Sequence, residues 1–304
     1  MTYLLFVIGL VALFLGGEYL VRGASSIARK FNLSPMVIGL TIVGFGTSAP
    51  ELLVSVQAAL DGQPAIAIGN VLGSNIANIL LILGTSAAIA ALMIPLSKIW
   101  RDLGFMLAAT AMIWWMLLDG TVTRLEGAIL VAGLVTFLVT AFLGGKVDAP
   151  ENDPHPVSMP MALVETVGGL VALVVGARLL VDSSTELARA FGISEAVIGL
   201  TIVAVGTSLP ELATSVIAAF RKQTEIAVGN VVGSNIFNIF SILGVTALIT
   251  PIPVDPRFAS LDMKWVAATA IGLTLTAIIL KGIPRIAGFG LLAVYGVYVA
   301  LMMT

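Results

Sequence analysis

The stretch that decides the fold runs from Val37 to Gly84 and reads VIGLTIVGFGTSAPELLVSVQAALDGQPAIAIGNVLGSNIANILLILG. About 160 residues later, the stretch from Val197 to Gly244 reads VIGLTIVAVGTSLPELATSVIAAFRKQTEIAVGNVVGSNIFNIFSILG. Roughly two-thirds of the aligned positions are identical, which is far above chance for internal similarity. The identities include Gly, Thr, Ser, Pro, Glu and Asn, so the duplication preserves polar chemistry inside an apolar pattern. Each copy is therefore predicted to carry half of a site.

The composition is that of a polytopic membrane protein. Of the 304 residues, 59% are hydrophobic and 11% are charged, and the mean hydropathy is +1.09, values that a water-soluble domain of this length would not tolerate. The net charge of -2 and the lack of a long basic run argue against nucleic acid as a partner. With no cysteine, disulfides and thiolate metal sites are excluded. The lipid bilayer is the predicted surrounding, and neither a cofactor nor an obligatory protein partner is evident.

Apolar segments of bilayer length predict an all-α integral membrane protein with ten transmembrane helices. The predicted spans are 3–22, 35–60, 65–92, 103–119, 124–144, 160–182, 195–220, 225–250, 262–280 and 283–303. One sustained polar break, the linker 145–159, separates a first five-helix repeat, 1–144, from a second, 160–304. Because five is an odd number, the second repeat enters the membrane with the opposite orientation, which predicts inverted repeats.

The distribution of Lys and Arg predicts the orientation in the membrane. The odd-numbered loops hold Arg22, Arg29, Lys30, Lys98, Arg101, Lys146, Arg221, Lys222, Lys281 and Arg285. The even-numbered loops hold only Arg124, Arg189, Arg257 and Lys264. By the positive-inside rule, the linker is cytoplasmic and both termini lie outside the cell inner (plasma) membrane.

Charges at equivalent positions of the two repeats have opposite signs. Asp61 after helix 2 becomes Arg221 after helix 7, which independently supports repeats that face opposite sides. Glu18 near the predicted end of helix 1 becomes Arg178 near the predicted end of helix 6. We interpret Glu18 and Arg178 as interfacial anchors.

The GTSAPE motif predicts a broken helix. Pro50 has no N–H and its ring clashes with the carbonyl of Gly46, which therefore loses its helical partner. A freed carbonyl at membrane depth must be satisfied by protein, water or a cation. Thr47, Ser48 and Glu51 are spaced to converge beside it, and oxygens around a carboxylate suit a hard cation. The second copy offers the same groups in helix 7: Gly206, Thr207, Ser208, Pro210 and Glu211.

The helix that follows each broken helix carries a polar stripe. In the first repeat Asn70, Ser74 and Asn78 share one face, and the second repeat repeats this with Asn230, Ser234 and Asn238. No His or Cys lies in the spans, so carboxylate, hydroxyl, amide and carbonyl oxygens indicate calcium or sodium rather than zinc or copper. Two negative charges match one divalent or two monovalent cations, a balance that favours exchange.

At these residues the chain resembles the cation/calcium antiporter superfamily, in the sodium/calcium exchanger branch whose prokaryotic members carry two alpha-repeats. The motifs GTSAPE with GNVLGSNIAN and GTSLPE with GNVVGSNIFN match that branch in both copies. The resemblance implies that Glu51 and Glu211 are shared ligands of calcium and sodium. It further implies oxygens for calcium from Thr47 and Thr207, and sodium ligands at Ser48, Ser74, Ser208, Ser234 and Asn78. One position departs from the family, since many exchangers carry Asp where this chain has Asn238.

The favoured function is secondary active antiport of sodium against calcium by alternating access, with helices 1 and 6 moving past the two carboxylates. A proton-driven calcium antiporter uses the same fold, but that branch usually carries an acidic residue shortly after Gly-Asn, where Leu72, Gly73 and Ser74 stand here. An intramembrane hydrolase is excluded because the spans hold no His and no acid–base pair of aspartates. A passive cation channel is the weaker alternative, since broken helices at an inverted-repeat interface are a transporter arrangement.

Overall fold

The computed structural model describes residues 1–144, 158–192 and 204–302. The described part is helical apart from two short strands, β1 (Thr121–Val122) and β2 (Ile252–Pro253). The first repeat contains α1 (Thr2–Lys30), α2a (Pro35–Thr47), α2b (Ala49–Leu60), α3 (Pro64–Ile89), α4 (Leu96–Leu117) and α5 (Arg124–Gly144). The second contains α6 (Met159–Ala190), α7a (Ala204–Gly206), α7b (Leu209–Phe220), α8 (Thr224–Ile249), α9 (Phe258–Ile279) and α10 (Arg285–Met302).

The predicted number of spans is only partly matched by the described residues. Among them, 7 helices are long and apolar enough to cross a bilayer, and α2a with α2b, which meet at a bend of 43°, make an eighth span. Helix α4 carries Lys98, Arg101 and Asp102 in its first two turns, which lowers its hydropathy. Helix α7b has only 12 residues, and the segment before α7a lies outside the described residues. Ten spans and the repeat bounds 1–144 and 160–304 therefore stay predictions. The linker 145–159, with His155, lies mostly outside the described residues.

Helix α1 is longer than hydropathy predicts, since it continues past Arg22 to Lys30. Two serines in this added part lie close to carbonyls of the preceding turn: Ser26 Oγ donates to the Arg22 carbonyl at 2.9 Å, and Ser25 Oγ is 2.6 Å from the Val21 carbonyl oxygen. Glu18 consequently lies well inside the helix rather than near its end. The predicted position of Glu18 near a helix end is therefore wrong. Its carboxylate pairs with Arg221, and interfacial anchoring stays a prediction.

Helices α1 and α6, the first helix of each repeat, pack against each other over most of their length. Small residues allow the close approach: a Cβ added at Gly9 would lie 2.9 Å from the backbone N of Leu180, and one at Gly23 would lie 2.7 Å from that of Thr166. Because the partner number falls as the α1 number rises, the two helices are antiparallel.

The loops of the two repeats are paired in the same way. Val122 of β1 pairs with Ile252 of β2, and an isolated antiparallel bridge joins Leu92 to Ile283. Leu92 and Ile252 occupy equivalent positions in the two repeats. Each repeat therefore contributes the corresponding loop to a contact with the other repeat. Helices α3 and α8 form the centre of the molecule and carry much of its buried apolar core.

Candidate ion-binding site

Both GTS-x-PE motifs break their helices at the serine. Ser48, between α2a and α2b, has φ -81° and ψ 2°, and Ser208, before α7b, has φ -87° and ψ 6°, so neither residue is helical. Pro50 lies in the first turn of α2b, where its missing N–H costs nothing. Glu51 and Glu211 lie in the first turns of α2b and α7b, where the helix dipole and free N–H groups favour an anion. The break predicted in helix 2 is confirmed.

The two glutamates belong to one site. Each side chain is buried, with 1% exposed. Ser48 Oγ donates to Glu211 Oε1 at 3.1 Å, and Ser208 Oγ donates to Glu51 Oε1 at 3.4 Å. Each serine therefore bonds the carboxylate of the other repeat, so the two half-sites interlock.

Several buried oxygens of the site have no hydrogen-bond partner among the described residues. They are Glu51 Oε2, Glu211 Oε2, Asn78 Oδ1 and Asn238 Oδ1. The ion pairs of the described residues do not connect any Lys or Arg to either glutamate. A buried carboxylate without a counter-charge is costly, so this set of oxygens fits a hard cation as the balancing charge.

An asparagine on the next helix braces each broken helix. Asn70 Nδ2 donates to the Glu51 carbonyl at 3.2 Å and to Ser55 Oγ at 3.0 Å. The second repeat has the same pair of bonds, from Asn230 Nδ2 to the Glu211 carbonyl at 3.3 Å and to Ser215 Oγ at 2.9 Å. The polar stripes thus face the broken helices. Sequence reasoning missed Ser55 and Ser215, although their position four residues after each glutamate places them on the same helical face.

Two further predicted ligands lie around the serines of the motif. Ser74 Oγ is 3.4 Å from Ser208 Oγ, which itself bonds Glu51. Ser234 Oγ donates to the Gly44 carbonyl of α2a at 3.4 Å. Both serines of the α3 and α8 stripes therefore reach the break of the opposite repeat.

Each threonine of the motif lies within hydrogen-bonding reach of the glutamate of the other repeat, Thr47 beside Glu211 and Thr207 beside Glu51. Thr47 Oγ1 also contacts Asn230 Oδ1 at 3.1 Å. Since a hydroxyl that donates a hydrogen bond retains lone pairs, both oxygens can still face a cation.

The glycines of the motif lie under α6. A Cβ added at Gly46 would lie 2.6 Å from Leu170 Cδ2, and one at Gly206 would lie 2.5 Å from Val181 Cγ2. Helix α6 therefore passes directly over both breaks. Cation binding by the Gly46 and Gly206 carbonyls stays a prediction.

The two stripe asparagines begin π-helical turns, Asn78–Leu83 in α3 and Asn238–Leu243 in α8. Such turns are frequent at functional sites because they redirect side chains. Asn238 Nδ2 donates to Asn75 Oδ1 at 2.9 Å, which leaves Asn238 Oδ1 available as an acceptor. Asn75 in turn donates to the Asn235 carbonyl at 3.3 Å, so α3 and α8 are bonded at the depth of the site.

Comparison with known proteins places this geometry in a family. The family model described as sodium/calcium exchanger protein matches residues 1–143 and 161–304. The chain belongs to the sodium/calcium exchanger family. The resemblance to the sodium/calcium exchanger branch is confirmed. By its family, the protein is a cation/calcium antiporter.

Relatives and a solved structure match this exchanger over nearly its full length. It is 42% identical to the putative antiporter CaxA of Alkalimonas amylolytica over 92% of this chain and 90% of the relative. It is 33% identical to the sodium/calcium exchanger MaX1 of Methanosarcina acetivorans, over 91% of this chain and 90% of that protein. A structure of the sodium-calcium exchanger NCX_Mj, soaked with 2.5 mM Na+ and 0.1 mM Ca2+, aligns with a TM-score of 0.87 at 34% identity, covering 98% of this chain and 97% of that one.

Proposed function

We propose that this exchanger moves sodium against calcium across the cell inner membrane by alternating access around Glu51 and Glu211. The observation that carries the proposal is the interlocked pair of buried carboxylates, each bonded by the serine of the other repeat. Each carboxylate also keeps one oxygen that no described residue bonds. One calcium ion or two sodium ions balance the two negative charges. Both ions prefer oxygen ligands of the kind that surround these carboxylates.

The packing supports inverted five-helix repeats with ten spans. Equivalent helices of inverted repeats are antiparallel, and α1 and α6 are antiparallel. The bridge between Leu92 and Ile283 and the pairing of Ile252 with Val122 add the same relation in the loops. Two half-sites that meet between such repeats can be reached from either side of the membrane in turn.

The two sides of the site are not equally covered. On the side of α7b, helix α1 packs closely: Ile217 is 6% exposed, and a Cβ added at Gly17 would lie 3.0 Å from Ile217 Cδ1. The equivalent face of α2b is not covered by any described helix, and its Leu53 is 72% exposed. Under the predicted topology the α2b side is extracellular, so the structure corresponds to an outward-facing state.

Motion of α1 and α6 is the step that reverses access. Their closely packed glycine contacts let them move as a unit, and α6 already covers both helix breaks at Gly46 and Gly206. When this unit uncovers α7b, it covers α2b. The ion site then opens to the other side while Glu51 and Glu211 stay in place.

Exchange rather than leak follows from burial. An empty pair of buried carboxylates carries a large desolvation cost, so the carrier crosses between states only when cations occupy the site. Calcium must therefore be replaced by sodium before the return step. The distribution of Lys and Arg among the loops supports the proposed orientation, with both termini outside and the linker 145–159 in the cytoplasm.

The test is radioactive calcium uptake into proteoliposomes that contain the purified protein. Gradients of sodium, potassium and protons are imposed one at a time. Uptake driven by an outward sodium gradient alone is the expected result. Uptake driven by a proton gradient without sodium would instead favour the proton-driven antiporter, and calcium entry that needs no counter-ion would favour a channel.

A further inference from the structure

An ion pair joins α1 to the end of α7b on the covered side of the site. Arg221 Nε donates to Glu18 Oε2 at 2.6 Å, and Arg221 Nη2 contacts the other carboxylate oxygen. Such two-point contacts between Arg and a carboxylate are the strongest of their kind. The pair therefore helps to hold α1 against α7b in the conformation described.

The equivalent residues in the other half of the molecule have the opposite charges. Glu18 corresponds to Arg178, and Arg221 corresponds to Asp61. Reversal of one charge alone would have produced two like charges. Because both are reversed, the second pair keeps the attraction of the first with the roles of acid and base exchanged.

This second pair is not formed in the conformation described. Arg178 Nε lies 3.9 Å from the Asp182 carboxylate in its own helix, and the two side chains are 85% and 71% exposed. Asp61, the residue after α2b, accepts a hydrogen bond at Oδ1 from Gln57 Nε2 in the last turn of α2b at 2.9 Å, and this contact is exposed. Both groups thus make local contacts of the weakest class.

A neighbouring hydrogen bond shows the same asymmetry. Ser25 Oγ donates to Gln223 Oε1 at 2.6 Å, and this bond also joins α1 to the segment after α7b. The equivalent residues are Thr185 and Gln63. Thr185 Oγ1 is buried and has no hydrogen-bond partner within the described parts of the chain. A second contact on the α7b side therefore has a counterpart on the α2b side, between Thr185 and Gln63, that is not formed in this conformation.

We propose that Glu18–Arg221 and Asp61–Arg178 are alternative ion pairs, each formed only when its own side of the site is covered. In the opposite-facing state α6 packs on α2b as α1 now packs on α7b. Arg178 then pairs with Asp61, Thr185 donates to Gln63, and Glu18 separates from Arg221. This inference rests on the alternating access of the proposed function, and it assigns two charge pairs outside the ion site to the control of access.

The test measures how often α7b is uncovered. The chain has no cysteine, so Ile217→Cys provides a single thiol under α1, and its rate of reaction with a thiol reagent in purified protein reports the opposite-facing population. Glu18→Gln removes the pair of the present state and is expected to raise the rate about two- to fivefold, as a partly exposed pair permits. Arg178→Gln removes the pair of the opposite state and is expected to lower the rate by a similar factor.

Arg178→Gln is the decisive variant, because local loosening around Ile217 cannot explain a lower rate caused by a change on the other side of the site. The exchanged pair Arg178→Asp with Asp61→Arg should restore the rate, while Lys264→Gln, an exposed cation on α9, should leave it unchanged. An unchanged or higher rate in Arg178→Gln overturns the proposal. The rate is measured without a sodium gradient, so failure of sodium–calcium exchange in the flux assay would be a separate result.

Discussion

The hydroxyl of Ser48 donates a hydrogen bond to Glu211 Oε1 at 3.1 Å, although 163 positions separate the two residues in the chain. Ser208 and Glu51 form the reciprocal contact at 3.4 Å. The two copies of the motif therefore complete each other rather than forming two independent sites. A change in either copy is expected to affect the ion site as a whole.

Replacement of Ser48 by Ala should weaken calcium binding. A hydrogen bond to a charged group contributes about 1.5–3 kcal/mol, so the calcium concentration for half-maximal exchange should rise roughly 10- to 100-fold. The measurement is calcium-dependent uptake into proteoliposomes, with Ser260→Ala at an exposed position as the control. An unchanged calcium dependence would show that the Ser48 hydroxyl has no part in the site.

The two bracing asparagines should differ in importance. Asn230 is fully buried and also accepts a hydrogen bond from Thr47, whereas Asn70 is only partly buried, so water can replace its lost bonds. Asn230→Ala should therefore lose about 1–2 kcal/mol more stability than Asn70→Ala. Thermal unfolding of the two purified variants in detergent measures the difference. A larger loss for Asn70→Ala would contradict the role assigned to Asn230.

Gly233 provides a test of the packing between α8 and α2a. A Cβ at Gly233 would lie 2.8 Å from Leu40 Cα, so the two helices are in close contact there. Gly233→Ala should push α8 away from α2a at a cost of about 1–3 kcal/mol, while Gly290→Ala, at an exposed position of α10, should be tolerated. Unfolding temperature and exchange rate, measured on both variants, check the prediction. Equal effects would mean that α8 and α2a are not in close contact.

Gly233 also shows how far the sequence could predict the structure. The duplicated motif was sufficient to predict the two broken helices, the paired carboxylates and the stripes of polar residues, because each follows from local spacing. The close contact of Gly233 with Leu40 was not predicted. Local spacing does not say which helix of the other repeat packs against a small residue.

Long-range contacts were the other limit of prediction. The pairing of Glu18 with Arg221 depends on the packing of α1 against α7b of the other repeat. Hydropathy ends the first span at Arg22, so it places Glu18 near a helix end and gives no sign of this contact. Local spacing likewise did not predict that Ser48 bonds Glu211 of the other repeat, although both were predicted site residues. The sequence therefore predicted which residues form the site, but not which residues contact each other within it.

The predicted orientation can be tested with single thiols at two exposed positions. Lys30 at the end of α1 belongs to the predicted cytoplasmic side, and Asp119 after α4 belongs to the predicted outer side. A membrane-impermeant thiol reagent should label Asp119→Cys in intact cells and Lys30→Cys only in inside-out vesicles. The reverse pattern would invert the topology without changing the ion site.

The central claim, that Glu51 and Glu211 together hold the transported ions, is tested most directly by sodium-driven calcium uptake into proteoliposomes of Glu51→Gln and Glu211→Gln. Each variant keeps side-chain size but removes one of two buried charges, so uptake should fall by about two orders of magnitude in both. Glu126→Gln, at an exposed position before α5's apolar run, is the control and should transport normally. Calcium uptake near the wild-type rate in either Glu51→Gln or Glu211→Gln would contradict the paired-carboxylate site.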